Sequence, residues 1–460
     1  MSFLSLHFAA MVAVLFVVYY ILPKRFQPLL LLVGSLYFYY CCSGPLLLVM
    51  IGTSLIAFLL GLWIPKHKKL CFFAVLLLLS PLVAFKFDFI SIGIPLGISF
   101  YTLQLIAYCV DLYRGKYKPE TNFLHFLLFT SFFPQILQGP IPRYESLKET
   151  LFAPHDLEEQ TMTEGLFKIL GGLFLKLMIA DKAAIFVNSV FNSDERFAGA
   201  FYLAAGILYS FQLYADFLSC VLLAQGVALL FGVKLSENFA QPYLATSIKD
   251  FWRRWHISLS SWLREYVYIP LGGNRKGKLR TNLHLLITFF VSGLWHGTGF
   301  KYVAWGLLHG MYQIIGKYTL SFRDRFFSAC KIPKRGRLCM QRVSTFILAM
   351  FAWILFRANS LRDGLAAWYS IAFDFQLKTF ADTVFTFGLS LPEILVLLLS
   401  IAALCLCDHQ AEKGKIFSKV WRDKPPVTKF LCAFLVLLVV AIFGTYGFGY
   451  DANAFIYGGF

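Results

Sequence analysis

The run DFWRRWHISLSSWLREYVYIPLGGNRKG, residues 250–277, decides how this chain is read. Phe251, Trp255, Leu259, Trp262 and Tyr266 recur at intervals of four, four, three and four, the period of a helix with one aromatic face. The same stretch carries Asp250, Arg253, Arg254, His256, Arg264 and Glu265. A helix so charged cannot face acyl chains all round, so it either lies in the membrane interface or re-enters the protein. LGGNRKG (271–277) reads as a turn, and the apolar run after it ends in SGLWHG (292–297), followed by WGLLHG (305–310). A polar, histidine-bearing interruption at membrane depth lines a protein-enclosed cavity, because exposed polar groups there are costly in lipid.

The surrounding chain sets that membrane context. Of its 460 residues 58% are hydrophobic and only 15% charged, which departs from soluble domains in both directions. The expected class is an all-α polytopic membrane protein. The net charge of +17 suggests nucleic-acid binding at first sight. Lys and Arg gathered in cytoplasmic loops beside anionic lipid explain it without a nucleic-acid partner. The ten cysteines are scattered through apolar runs and form no CxxC pair, so they read as small buried apolar residues.

Apolar runs at 4–22, 27–42, 44–64, 70–87 and 91–113 are candidate spans. The first has no basic n-region and no clear cleavage site, and reads as a retained span. Lys24 and Arg25, then Lys66, Lys68 and Lys69, then Arg114, Lys116 and Lys118 each follow an odd-numbered span. All three clusters therefore fall on one side, which places the N-terminus outside the cell membrane. Pro134, Gly139, Pro140 and Pro142 predict a short helix and an internally packed loop over 122–142. A polar surface loop is expected over 143–160. Apolar stretches follow at 164–191 and 197–233, the first with Lys168, Lys176, Asp181 and Lys182 turned to an interface or a bundle interior. Helices are expected over 281–297 and 299–316, and a cytoplasmic basic loop over 317–342. Spans near 343–357, 391–408 and 427–448 complete about 11 membrane helices plus re-entrant pieces. The whole, 1–460, reads as one membrane domain: N-terminal spans to 120, a core with the re-entrant segments over 121–310, then the basic loop and C-terminal spans.

His296 ends a long apolar run between Trp295 and Gly297. An imidazole there can act as a general base, taking a proton from a hydroxyl that attacks an activated acyl carbon. It can equally be a core histidine bonded to a backbone carbonyl, the commoner fate of a lone intramembrane histidine. His256 lies beside Arg253 and Arg254, which could pair with phosphate or carboxylate, or with lipid headgroups. Trp255, Trp295, Asn274 and Arg275 complete the candidate donor- and substrate-binding set. His309 has a weaker case. His7, His67, His125, His155, His284 and His409 show no metal spacing, so no metal site is expected. GGNRKG lacks the P-loop pattern, and no GxSxG elbow marks a nucleophile.

Four motifs carry a resemblance. IPLGISFYTLQ (94–104), FFPQILQGPI (132–141), the run LFGVKLSENFAQPYLATSIKDFWRRWHISLSSWLREYVYIPLGGNR (230–275) and SGLWHG (292–297) resemble the membrane-bound O-acyltransferase family. The likeness is strongest to its bacterial branch around the alginate O-acetylation membrane protein, with the D-alanyl transferase of teichoic acid synthesis more distant. The terminal FIYGGF (455–460) resembles that branch's ending. The resemblance implies a helical membrane fold with a central tunnel. It implies a catalytic role for His296, which matches the family's invariant histidine. His256 matches a second family position, which is Asn or Asp in many relatives and His in this branch. The implied donor is a cytoplasmic acyl thioester, acetyl-CoA or an acyl carrier protein, used as substrate with no bound cofactor. The implied acceptor is a hydroxyl of a cell-surface polysaccharide, reached with an extracytoplasmic partner of the SGNH hydrolase-like class. One departure stands out: beyond Asp216 and Phe217 the branch carries a Gly-Tyr-Ser-Asp run, whereas this chain reads Leu218-Ser219-Cys220-Val221-Leu222, with Leu222 in place of the acid. That change bears on donor or acceptor specificity. D-alanyl transfer to a teichoic-acid-like polymer is the alternative within the family. A transporter or a non-catalytic scaffold is the alternative outside it. A transporter of this kind would show paired half-helices in two related halves, and no internal repeat is present.

Overall fold

A computed structural model describes residues 4–89, 93–136, 139–415 and 424–446. The FIYGGF ending lies outside the described residues. Among them every regular element is helical. Among the described residues five helical segments are long and apolar enough to cross a membrane: Lys24–Trp63, Gly199–Leu230, Lys334–Arg357, Leu391–Glu412 and Pro426–Phe443. The apolar helices Leu6–Ile21, Leu70–Lys86 and Ile98–Tyr113 are shorter. The described residues fall into two compact units, one from 1–172 with 219–237, the other from 173–218 with 238–447.

In the first unit, the expected span over 91–113 is shortened to Ile98–Tyr113. Its start is set by Gly97, which sits at φ +67 with its α-hydrogen against the Ile136 carbonyl; a Cβ there would collide with that oxygen. The helix is buried along most of its length, and Gln104 satisfies its amide by donating to the Phe129 carbonyl at 2.7 Å. The proline-rich segment behaves as the sequence predicts: helix Phe123–Ser131, a short turn Phe133–Ile136, then buried irregular chain over 139–142. Polar composition misleads over 143–160. Tyr144–Leu151 is a helix that buries Tyr144, Leu147 and Leu151 along one face, the three- and four-residue spacing hidden among its charges.

In the second unit, the basic stretch 317–342 is helical rather than a loop. Leu320–Ala329 is one helix, and Lys334–Arg357 begins within the basic run and continues through the expected span. Pro333 precedes its first residue, where a proline's missing N–H and fixed φ cost a helix nothing. Helices Gly277–His296 and Phe300–Tyr318 form a close hairpin. A Cβ on Gly306 would run into the Phe289 carbonyl oxygen, and one on Gly293 into that of Tyr302. The glycines of SGLWHG and WGLLHG thus let two backbones touch, which brings Trp305 to the end of the first helix.

Lys176 lies in a π-helical stretch, Leu175–Ala180, and is 1% exposed. It donates to Asp216 and pairs with Asp181, each at 2.8 Å. The expectation that this segment's charges face a bundle interior holds for Lys176. All ten cysteines are free thiols.

Candidate active site

The site starts from a break that helical periodicity conceals. Ser247 caps the helix Ile248–Arg254 by accepting the Asp250 N–H at 3.1 Å, and Asp250 returns a carboxylate oxygen to the Thr246 N–H at 3.1 Å. The helix then stops. Trp255 is extended at φ −103 and ψ 128, and His256 is left-handed at φ 45 and ψ 55. A second helix, Ile257–Leu263, begins at once and passes into a π-helical turn, Arg264–Tyr268. The expectation of one continuous aromatic-faced helix over 250–270 is corrected here. The apolar spacing survives the break, but the backbone turns between Trp255 and Ile257.

A preceding irregular segment makes that turn stable. The Ala240 N–H donates to the Arg254 carbonyl, and the Ile257 N–H donates to the Asn238 carbonyl, both at 2.9 Å. The Asn238 side chain, fully buried, accepts the Ser258 N–H at 3.0 Å and the Ser258 hydroxyl at 2.9 Å. His256 has no side-chain oxygen with which to cap the second helix, so an asparagine 18 residues earlier takes over the orphan N–H groups.

His256 and His296 are 1% and 2% exposed, and Trp295 joins them. The Trp295 ring centroid stands 6.0 Å from that of His256 and 4.9 Å from that of His296. His256 also meets the Phe217 ring edge-on at 4.7 Å, and its Nδ1 is 3.4 Å from Asn238 Oδ1. His296 closes the helix Gly277–His296 and packs edge-on to Trp305 at 5.0 Å and Phe356 at 5.4 Å. His309 belongs to the same aromatic block. It accepts the Trp252 indole N–H at Nδ1, 3.2 Å away, and its ring lies 5.1 Å from that of Trp305.

The structure therefore gathers three of the sequence candidates, His256, His296 and Trp295. The others stand apart from that group. Arg254 pairs with Asp250 at 3.2 Å and with Glu412 at 3.3 Å, and Glu412 also takes Arg342. Arg253 is exposed. Trp255 is buried, stacked on Phe251 at 5.5 Å and against Trp353 at 5.1 Å. Asn274 and Arg275 are exposed in the turn after the π-helical segment, where Tyr268 donates to Asn274 and His284 donates Nδ1–H to the Gly273 carbonyl at 3.0 Å. Asn238, Phe217, Trp305 and Phe356 complete the surroundings, and residue spacing had not singled them out. Asn238 lies in the quoted motif as ENFAQPY, a buried polar residue in a loop, the one signal that could have found it.

This arrangement can receive a proton from a hydroxyl in a site walled by aromatic rings. Among the described residues no group of three or more His, Cys, Asp or Glu is arranged to hold a metal ion.

The model of the membrane-bound O-acyltransferase family matches residues 119–361, more than half the chain and all of the residues above but Glu412. The probable alginate O-acetylase of Pseudomonas putida is 36% identical over 319 residues, 68% of this chain and 63% of that protein. The peptidoglycan O-acetyltransferase of Helicobacter pylori is 38% identical over 308 residues, covering 61% and 57% respectively. The teichoic acid D-alanyltransferase of Bacillus subtilis is 30% identical over 243 residues, covering 50% and 61%. The chain thus spans less than two thirds of the length of the curated relatives it matches. Apolar helices of spanning length and a matching family model make it a membrane protein, and the chain belongs to the membrane-bound O-acyltransferase family.

Proposed function

We propose that the chain is an O-acyltransferase that moves an acyl group, acetyl in the first instance, from a cytoplasmic thioester towards hydroxyls of a cell-surface polysaccharide. The observation that carries this reading is the pair of buried histidines, 40 positions apart in sequence, packed against one tryptophan in a chain of this family. In the proposed step His296 takes the proton of the acceptor hydroxyl as its oxygen forms the bond to the thioester carbonyl carbon. The C–S bond breaks, and the thiolate leaves to be protonated. A base of this kind contributes about 10²–10⁴-fold to a rate.

The same reading takes acetyl-CoA or an acyl carrier protein as donor and an SGNH hydrolase-like extracytoplasmic partner to pass the acyl group on. It sets the chain in the cell membrane with its N-terminus outside, as one domain of about 11 spanning helices around a tunnel. D-alanyl transfer to a teichoic-acid-like polymer is the second reading, and the similarity to the Bacillus subtilis D-alanyltransferase favours it. The test is the acyl content of cell-surface glycans with wild-type protein and with His296→Ala at matched membrane levels. Loss of one O-acyl species supports the reading, and its identity separates acetyl from D-alanyl. An unchanged acyl content overturns it.

A further inference from the structure

We infer that Asn238 is a positioning residue that holds His256 as the Nδ1–H tautomer, so that His256 presents the lone pair of Nε2 to a hydroxyl-bearing ligand. The inference rests on the proposed site, and it is fixed by which atoms can donate. A backbone N–H can only donate, so the Asn238 atom that receives Ser258 N–H at 3.0 Å is the amide oxygen. The Ser258 hydroxyl, at 2.9 Å, has that same oxygen as its acceptor. His256 Nδ1 lies 3.4 Å from this oxygen. Were Nδ1 unprotonated, two lone pairs would face each other in a buried site, so the proton belongs on Nδ1. In a neutral imidazole the other nitrogen is then an acceptor.

That acceptor is exposed to nothing the described residues supply. His256 Nε2 and the Asn238 amide nitrogen are both buried and have no hydrogen-bond partner among the described residues. Buried polar atoms are ordinarily paired, and an unpaired acceptor on His256 suits a ligand that donates to it, such as an alcohol. The left-handed backbone of His256 serves the same end. Most residues avoid that conformation, and here Asn238 secures it from both its carbonyl and its side chain. Asn238 therefore fixes the ring's position and its proton together. His256 is assigned the role of accepting a hydrogen bond, beside His296 across Trp295.

The experiment is ¹⁵N solid-state NMR of histidine-labelled protein in lipid, with the His256 signals identified by their loss in His256→Gln. Wild type should show a protonated Nδ1 and an unprotonated Nε2 at neutral pH. Asn238→Asp keeps an acceptor oxygen and should keep that pattern. Asn238→Leu removes it and should give a mixture of tautomers, with acyl transfer lowered about 10²-fold at the low end for a disabled acid–base histidine. A wild-type Nε2–H signal overturns the inference whatever the fate of the variants. Because the tautomer is read without any turnover, its failure is distinguishable from failure of the acyltransfer reading, which the His296→Ala glycan assay measures.

Discussion

Replacing Lys176 by methionine should destabilise the protein severely, and a second substitution should restore it. Lys176 and Asp216 are each 1% exposed and 2.8 Å apart, and Asp181, 12% exposed, is a further 2.8 Å partner of the lysine. Methionine matches the stem of lysine and leaves the packing intact, so the loss is electrostatic. Removing one partner of a buried pair costs about 3–5 kcal/mol, because the remaining charge is uncompensated. Two charge-assisted hydrogen bonds at about 1.5–3 kcal/mol each give an overlapping range, about 3–6 kcal/mol. At about 2 °C per kcal/mol, the large-domain end of the usual relation, the midpoint of thermal unfolding should fall by roughly 6–10 °C. Asp216 adjoins Phe217, whose ring meets His256 at 4.7 Å, so acyl transfer should fall as well. Adding Asp216→Leu removes the deeper of the two carboxylates and leaves the partly exposed Asp181, so it should recover part of the loss, since a buried pair replaced on both sides by apolar groups is often neutral. The assay is thermal unfolding of the purified protein in detergent for the wild type, both single variants and the double. A fall of less than about 2 °C in Lys176→Met, or a double variant no better than the single, would refute the reasoning.

Two further outcomes follow from the same kind of argument. Gly306→Ala forces a methyl against the Phe289 carbonyl oxygen in the hairpin that carries His296, and should cost about 3 kcal/mol, read as a lowered unfolding midpoint; an unchanged midpoint would mean the two helices are farther apart than described. Glu120, in the loop before helix Phe123–Ser131, is partly buried, which raises its carboxyl pKa. Hydrogen bonds from Tyr144 and from the Asn122 and Thr121 N–H groups outweigh that and hold it below the ordinary glutamate value. The unfolded chain then binds the proton more tightly, so this stabilisation is present above about pH 4.3 and is lost as pH falls through the folded value. Glu120→Gln should flatten the acid side of the stability profile, and an unaltered acid slope would count against the hydrogen-bonded carboxylate.

The sequence by itself determined the class of this protein. Long apolar runs can only be helices in a membrane, and Pro134, Pro140 and Pro142 interrupt one of them wherever the chain goes. The turn over 271–277 was equally legible, since its glycines permit it locally. His296 was marked by a polar ring at the end of an apolar run. What the tertiary structure decided is everything that depends on a partner distant in sequence. The backbone break at Trp255 and His256 is invisible to periodicity, because its cap is supplied by Asn238 and not by any neighbour. Arg254 read as a candidate ligand for an anion, and its charge is met by Glu412, 158 residues away. His256 comes within 6.0 Å of the Trp295 ring beside His296 only in the folded chain, across 40 positions of sequence. Spacing reports which side chains share a face of one element. Which faces meet, and which buried polar atom finds a donor, is settled by packing across elements, and that information is spread over the whole chain.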